Sequence, residues 1–389
     1  MKLFYALRVT APVTARVTAF DRLRGLIMVL MAIDHAAFFI ARVHPAETWA
    51  APPPYYADVP AFLTRWLTHL CAPGFFMLMG IGLVWFAESR RAAGWSGARI
   101  TRFFVTRGAM LLLVQHVLEN PAWVMGLVSM DPAVDAGQPG LPGVPGNIMV
   151  GLAVLSALGV ALIFWGICWR LPMWAIGAVG CAAFWLSRVM LPDIAQASQA
   201  IPVWKLLLFV PGQGGIVQNM YPWVIWLVPA GVGVALGRVF QREPQRVGAV
   251  AAAAALVGVG AFVVMRLAGL GEVHTPAEGV MGWLSVTKYP PTEAFLALML
   301  GLDLAILAVL SKWTSRWLAP LEVYGRVPFF FYLAHLWAFG ALSWAFPSGT
   351  SFAVMYLVWA AVIAVLYPAC TAYARFKFSN PATSLWRLF

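Results

Sequence analysis

The sequence predicts an all-α, polytopic integral membrane protein with about 10 transmembrane helices. Three observations lead there. Of 389 residues, 62% are hydrophobic and only 11% charged, with a mean hydropathy of +0.80. A soluble chain carries roughly 25% charge and 45–50% apolar residues, and a disordered chain has still less apolar surface, so both classes are excluded. Second, ten apolar stretches follow one another, each near the roughly 20 residues that cross a hydrocarbon core. Third, the basic residues between them alternate in number from loop to loop.

In chain order the spans fall at about 24–43, 63–87, 101–118, 144–167, 172–191, 221–239, 247–268, 291–310, 322–345 and 351–373. The segment 203–210 is apolar but too short to cross, and reads as re-entrant or interfacial. With the N-terminus inside, the cytoplasmic loops hold 20 of the 26 basic residues, among them Arg22, Arg24, Arg90, Arg91, Arg238 and Lys312. Arg42, Arg65, Arg188, Lys205, Arg266 and Lys288 fall on the other side. Such asymmetry predicts an even number of spans with both termini cytoplasmic, in a cytoplasmic (inner) membrane. It also accounts for a net charge of +11 without nucleic acid as a partner.

The chain reads as one integral domain, 1–389, with no soluble domain and no removable signal peptide. Cys71, Cys168, Cys181 and Cys370 have neither metal-ligand spacing nor obvious disulfide partners, so packing is their expected role and no metal is expected. Trp49, Trp66, Trp204, Trp223 and Trp283 lie near span ends, as interfacial anchors do. There is no internal repeat and no Gly-rich phosphate loop.

Titratable residues inside spans are costly to keep and therefore mark candidate sites. Asp34 and His35 sit together in the first span, roughly 12–14 Å from its inner end by helical rise, and His69 lies roughly 10 Å from the outer end of the second. A histidine titrates near neutral pH, and a neighbouring carboxylate fixes its tautomer, so this pattern suits proton transfer. The alternative is that these groups only tie spans together by hydrogen bonds. His116 and Glu119 are three residues apart on one helix face and read equally as a solvated pair. Asp303 and His335 lie in the inner halves of spans eight and nine, where they could pair. His44 and Asp58 belong to the first outer loop, and His274 to a solvated loop.

Several blocks together resemble a known family. Val17-Thr18-Ala19-Phe20-Asp21-Arg22-Leu23-Arg24-Gly25-Leu26 followed by Met31-Ala32-Ile33-Asp34-His35 is similar to the opening motif of the heparan-α-glucosaminide N-acetyltransferase family, bacterial branch. Thr64-Arg65-Trp66-Leu67-Thr68-His69-Leu70-Cys71-Ala72-Pro73, Thr106-Arg107-Gly108, Tyr221-Pro222-Trp223, Lys288-Tyr289-Pro290-Pro291-Thr292 and Gly325-Arg326-Val327-Pro328 through His335 follow in the same order. The resemblance covers about residues 17–340.

That resemblance implies a membrane acyltransferase. It would move an acetyl (acyl) group from cytosolic acetyl-CoA, or another acyl-CoA, to an amine or hydroxyl of a sugar or glycan acceptor on the extracytoplasmic side. The animal enzyme of the family uses an asparagine late in the first core span and a histidine in the following outer loop. The asparagine position matches His35; the loop histidine has no clean counterpart, and His44 is the nearest. The base is then His35 with Asp34, or His44. His69 stands where the family tends to carry a carboxylate and is a candidate oxyanion donor. Arg24, Arg102, Arg107 and Arg326 are the candidates for the CoA phosphates. Gly233-x-x-x-Gly237 could support a homodimer. Two alternatives stay open: a proton-coupled secondary transporter relaying protons through Asp34, His35 and His69, and a catalytically idle scaffold.

Overall fold

A computed structural model describes residues 18–135, 150–197, 199–313, 315–380, 384 and 386. Lys2, Arg8, Arg16 and Arg387, and the Gly/Pro-rich run ahead of span four, lie outside the described residues. The protein is an all-α polytopic membrane protein. Among the described residues eight helices are long and apolar enough to cross a membrane: α1 (Thr18–Ala41), α2 (Val59–Ala92), α3 (Gly97–Val128), α5 (Met173–Met190), α6 (Trp223–Arg242), α7 (Pro244–Leu267), α8 (Glu293–Lys312) and α11 (Phe352–Ser379). Two expected spans differ. The fourth is the short helix α4 (Val154–Ile167), whose 14 residues rise only about 21 Å. The ninth is broken into α9 (Arg316–Arg326) and α10 (Pro328–Ala345), bent by 86°. Its break has a local cause: Pro328 lacks an N–H and forces Val327 out of the helical region, to φ −131° and ψ 50°.

The third span also runs further than hydropathy indicates. A π-turn at Gln115–Glu119 carries the chain into Asn120–Val128, with Pro121 in the first turn where its missing N–H costs nothing. The chain beyond 118, the expected end of the third span, is therefore helix as far as Val128.

Close helix pairs form where a glycine on one helix faces backbone on the next. A Cβ at Gly25 of α1 would overlap the Leu321 carbonyl of α9, and one at Gly325 of α9 would overlap the Asp21 carbonyl of α1. Gly108 of α3 and Gly159 of α4 face each other's carbonyls in the same way. Such small-residue seams let dispersion act between backbones in an apolar solvent. Gly233 and Gly237 belong to this class: they pack on Met77 and Ile81 of α2. This glycine pair is spent inside the chain and is no evidence for a dimer.

Helix α1 is the most deeply buried span, packed by α2, α8, α9, α10 and α11. Residues near its C-terminal end thus face neighbours on every side. Arg42, which follows, adopts a left-handed conformation (φ 58°) that ends the helix. Its buried guanidinium donates to the carbonyls of Gly126, Ser343 and Phe346 and to Ser129 Oγ, tying α1 to α3 and α10.

Beyond the helices, a small sheet of β1 (Val150–Leu152), β2 (Gly212–Gly214) and β3 (Val217–Asn219) has order β1-β3-β2, with β1 parallel and β2 antiparallel to β3. The apolar segment at 203–210 forms a short helix, Val203–Leu208, held against this sheet by Asn219 Nδ2, which donates to the Leu206 carbonyl. Trp49 is buried rather than interfacial, and its indole N–H donates to the Pro211 carbonyl.

Candidate functional site

The polar residues of the molecule gather where α1 ends and α2 begins. Successive helical residues point about 100° apart, so Asp34 and His35 face different neighbours. Asp34 faces α2. Its Oδ1 pairs with Arg65 Nη1 and accepts from Thr68 Oγ1 at 3.2 Å, and its Oδ2 lies 3.4 Å from His44 Nε2. His35 faces α10 instead, and its Nδ1 lies 2.7 Å from His335 Nε2. The expected His35–Asp34 couple is therefore not formed; His44 is the imidazole beside Asp34.

Arg65 links two carboxylates. Besides Asp34 it donates to Glu47 through Nε (3.0 and 3.2 Å) and Nη2 (2.7 Å). A planar guanidinium with donors on two edges suits this bridge better than an ammonium would. Tyr56 adds a hydroxyl donated to Glu47 Oε1 at 2.8 Å. His69 Nε2 lies 3.2 Å from Glu47 Oε2 but off the line of a hydrogen bond, so both ring nitrogens are without hydrogen-bond partners among the described residues. Burial alone would favour the neutral acid at Glu47. Arg65 and His69 outweigh it and hold the carboxyl well below the ordinary range. Burial and the Glu47 charge push the Tyr56 phenol up.

The loop after α1 is held in place by the segment before α8. The Glu47 carbonyl accepts from the backbone N–H of both Lys288 and Tyr289, and Trp49 N–H donates to the Tyr289 carbonyl. The Tyr289–Pro290 peptide is cis. Lys288 is buried, makes no ion pair among the described residues, and lies over the Tyr289 ring with Nζ 5.2 Å from its centroid. The cluster so combines two carboxylates, two cations and two histidines.

A small cleft of about 20 Å³ opens beside it, with Glu47, His69 and Tyr56 on one wall and Arg266, Glu272 and His274 on another. His274 is not a solvated loop residue: its Nε2 lies 2.8 Å from the Thr48 carbonyl. Burial pushes the Glu272 carboxyl up; its bonds from Thr287 and Thr292 and the charge of Arg266 offset only part of that.

Two further carboxylates are fully buried. Glu119 of α3 accepts from the Tyr332 hydroxyl through Oε1, and its Oε2 has no hydrogen-bond partner among the described residues. It is not half of a solvated pair with His116, which instead lies 3.3 Å from Asn120 Nδ2. Asp303 of α8 has no hydrogen-bond partner on either oxygen among the described residues and packs beside Gly74. It does not pair with His335, which the His35 ring has taken.

The four arginines expected to hold phosphates divide into two pairs. Arg24 donates to Asp21 Oδ1 and the Gly325 carbonyl, and Arg326 Nη2 lies 3.4 Å from Glu322 Oε2. Arg102 and Arg107 on α3 have no carboxylate partner among the described residues. The second pair is thus better placed for an added anion.

Of the catalytic candidates, Asp34, His44 and His69 share one charge network, and His35 adjoins it through the helix. Sequence reasoning did not single out Glu47, and counted Arg65 and Lys288 only as topology charges. Arg65 and Lys288 nonetheless lie inside the motifs that carry the resemblance. No protein-family model matches the chain, and no curated protein matches it significantly.

Proposed function

We propose that the protein is a membrane acyltransferase, taking an acyl group from acyl-CoA on the cytoplasmic side and passing it to an amine or hydroxyl of a sugar or glycan. One observation carries the reading. Blocks far apart in sequence, at Asp34-His35, Thr64–His69, Lys288–Thr292 and Phe331–His335, converge on one buried polar cluster beside a small cleft.

The chemistry needed is modest. A base removes the proton of the acceptor as it attacks the thioester carbonyl, and donors stabilise the oxyanion that develops. His44, steadied by Asp34, and His35, steadied by His335, are the candidate bases. His69 and Lys288 are candidate donors. The small cleft walled by Arg266, Glu272 and His274 offers hydrogen-bond donors and acceptors to a polar group that reaches it. Arg102 and Arg107, with Arg24, would hold the pyrophosphate and 3′-phosphate of CoA. From Arg24 to His35 is eleven residues of helix, a rise of about 16 Å, which an extended pantetheine arm can follow.

In this reading the α1 C-terminal end is extracytoplasmic and the termini are cytoplasmic, in an inner membrane. Thermal unfolding in nanodiscs tests the donor half. Acetyl-CoA raises the melting temperature of the wild type, and Arg107→Ala with Arg102→Ala abolishes the rise while leaving the ligand-free value nearly unchanged. No rise at millimolar acetyl-CoA counts against the reading.

A second reading has an observation of its own. Asp303 and Glu119 are buried carboxylates inside spans, with oxygens unpartnered among the described residues, a pattern that also serves a proton-coupled transporter. Proteoliposome uptake of a solute driven by a proton gradient, without thioester, would favour it.

A further inference from the structure

Two buried imidazoles, 300 residues apart in sequence, share a hydrogen bond whose direction the surroundings determine. His335 Nδ1 lies 2.8 Å from the Phe331 carbonyl. A carbonyl oxygen only accepts, so that nitrogen carries the hydrogen. In the neutral ring His335 Nε2 is then a bare lone pair. It lies 2.7 Å from His35 Nδ1, so His35 Nδ1 must donate. The remaining nitrogen, His35 Nε2, is left with its lone pair outward. It has no hydrogen-bond partner among the described residues and, unlike the nitrogens of His69, is not fully enclosed.

The alternative polarity would make His335 an imidazolium donating from both nitrogens. No carboxylate faces it. Asp34 is engaged by Arg65, His44 and Thr68, and Glu119 by Tyr332. The rings packed on His335 are those of Phe331, Tyr332, Phe339 and His35, the last nearly parallel at 7° with centroids 4.9 Å apart. A buried charge without a counter-ion is the costlier state. Trp123 closes over the other side of His35, edge-on at 5.1 Å.

We infer that His335 is a positioning residue: through Phe331 it holds His35 in the Nδ1–H tautomer and so leaves His35 Nε2 with the lone pair that serves as base. His335 takes the place that a carboxylate holds in a hydrolase triad, in a site too apolar to keep another negative charge. This inference rests on the acyl-transfer reading for its chemistry but not for its tautomer. In the reaction His35 Nε2 takes the proton of the acceptor N–H or O–H while the new acyl–N or acyl–O bond forms. The acyl–S bond breaks, and the same proton passes from His35 to the leaving CoA thiolate. His335 never leaves its Phe331 bond.

Nitrogen-15 NMR of histidine-labelled protein in nanodiscs reads the tautomer directly, with His35→Gln and His335→Gln used to assign the signals. The expected result is a neutral His35 protonated on Nδ1 with a lone pair on Nε2. His335→Phe removes the acceptor: His35 moves to the Nε2–H form, and kcat falls about 100-fold with KM little changed. His335→Gln can accept through its amide oxygen while donating to Phe331, so it restores the tautomer and most of the rate. A His35 protonated on Nε2 in the wild type overturns the proposal. So does an unaltered tautomer in His335→Phe, or a His335→Gln as impaired as His335→Phe. If the wild type transfers no acyl group, the acyltransferase reading fails while the NMR result still decides the tautomer.

Discussion

Arg65 Nη2 lies 2.7 Å from Glu47 Oε2 while the Nη1 of the same guanidinium holds Asp34. One side chain from α2 thereby joins the end of α1 to the loop that follows it, and neutralises two buried carboxylates at once. Asp34 is occupied on one side and free to steady His44 on the other.

The bridge should be essential to folding. Arg65→Met leaves Asp34 and Glu47 buried without a cation, and removing one partner of a buried pair typically costs about 3–5 kcal/mol. Arg65→Lys keeps the charge but not the fork, so it should fall between wild type and Arg65→Met. Thermal unfolding in detergent orders the three; an Arg65→Met protein as stable as wild type would refute the role.

Glu47 sets an acid limit on stability. Its folded value is depressed below the ordinary 4.5, so its contribution is complete above about pH 4.5 and is lost as pH falls through the depressed value. The gap in melting temperature between wild type and Glu47→Gln should therefore be widest near neutral pH and close in acid. A gap that widens in acid would reverse the assignment.

His44 separates chemistry from folding. It is partly exposed, with a side-chain exposure of 19%, so His44→Ala should fold normally. Loss of a base or of its orientation should lower kcat by about 100-fold with a small change in KM. Asp34→Asn should lower it too, but with a loss of stability, since it also unpairs Arg65. Full activity in both variants would place the base elsewhere.

How much of this was legible beforehand follows from which physical signal each residue leaves. Apolar stretches located the eight helices long enough to cross, because a bilayer demands about 20 residues of apolar helix whatever the fold. Hydropathy is silent on direction within a span, so the 86° break at Val327-Pro328 and the shortness of α4 were hidden. Asp34, His35 and His69 stood out as costly groups in apolar runs. Glu47 and Arg65 did not, because charges at span ends are ordinarily solvated; only the loop folding back onto Tyr289 buries them. His35 and His335 each stood out, but their pairing depends on α10 packing beside α1. Glu119 was read as interfacial because the π-turn and the helical run through Val128, which bury it, leave no mark in hydropathy.

Gly233 tests the intrachain origin of the glycine motif. Gly233→Leu places side-chain atoms against the Met77 backbone, so it should lower thermal stability sharply, as overpacking does. The molecular mass in detergent should not change with it. A variant that alters only the oligomeric state would return the motif to a dimer interface.

The central claim is acyl transfer at this cluster. Purified protein in sealed liposomes, given labelled acetyl-CoA on one side and a panel of amino sugars and glycans on the other, measures it directly. Labelled acceptor and one CoA thiol released per acyl group transferred are expected, both abolished in the His35→Ala, His44→Ala double variant. Unlabelled acceptor across the panel with acetyl-CoA intact, or label transferred equally by the double variant, would contradict it.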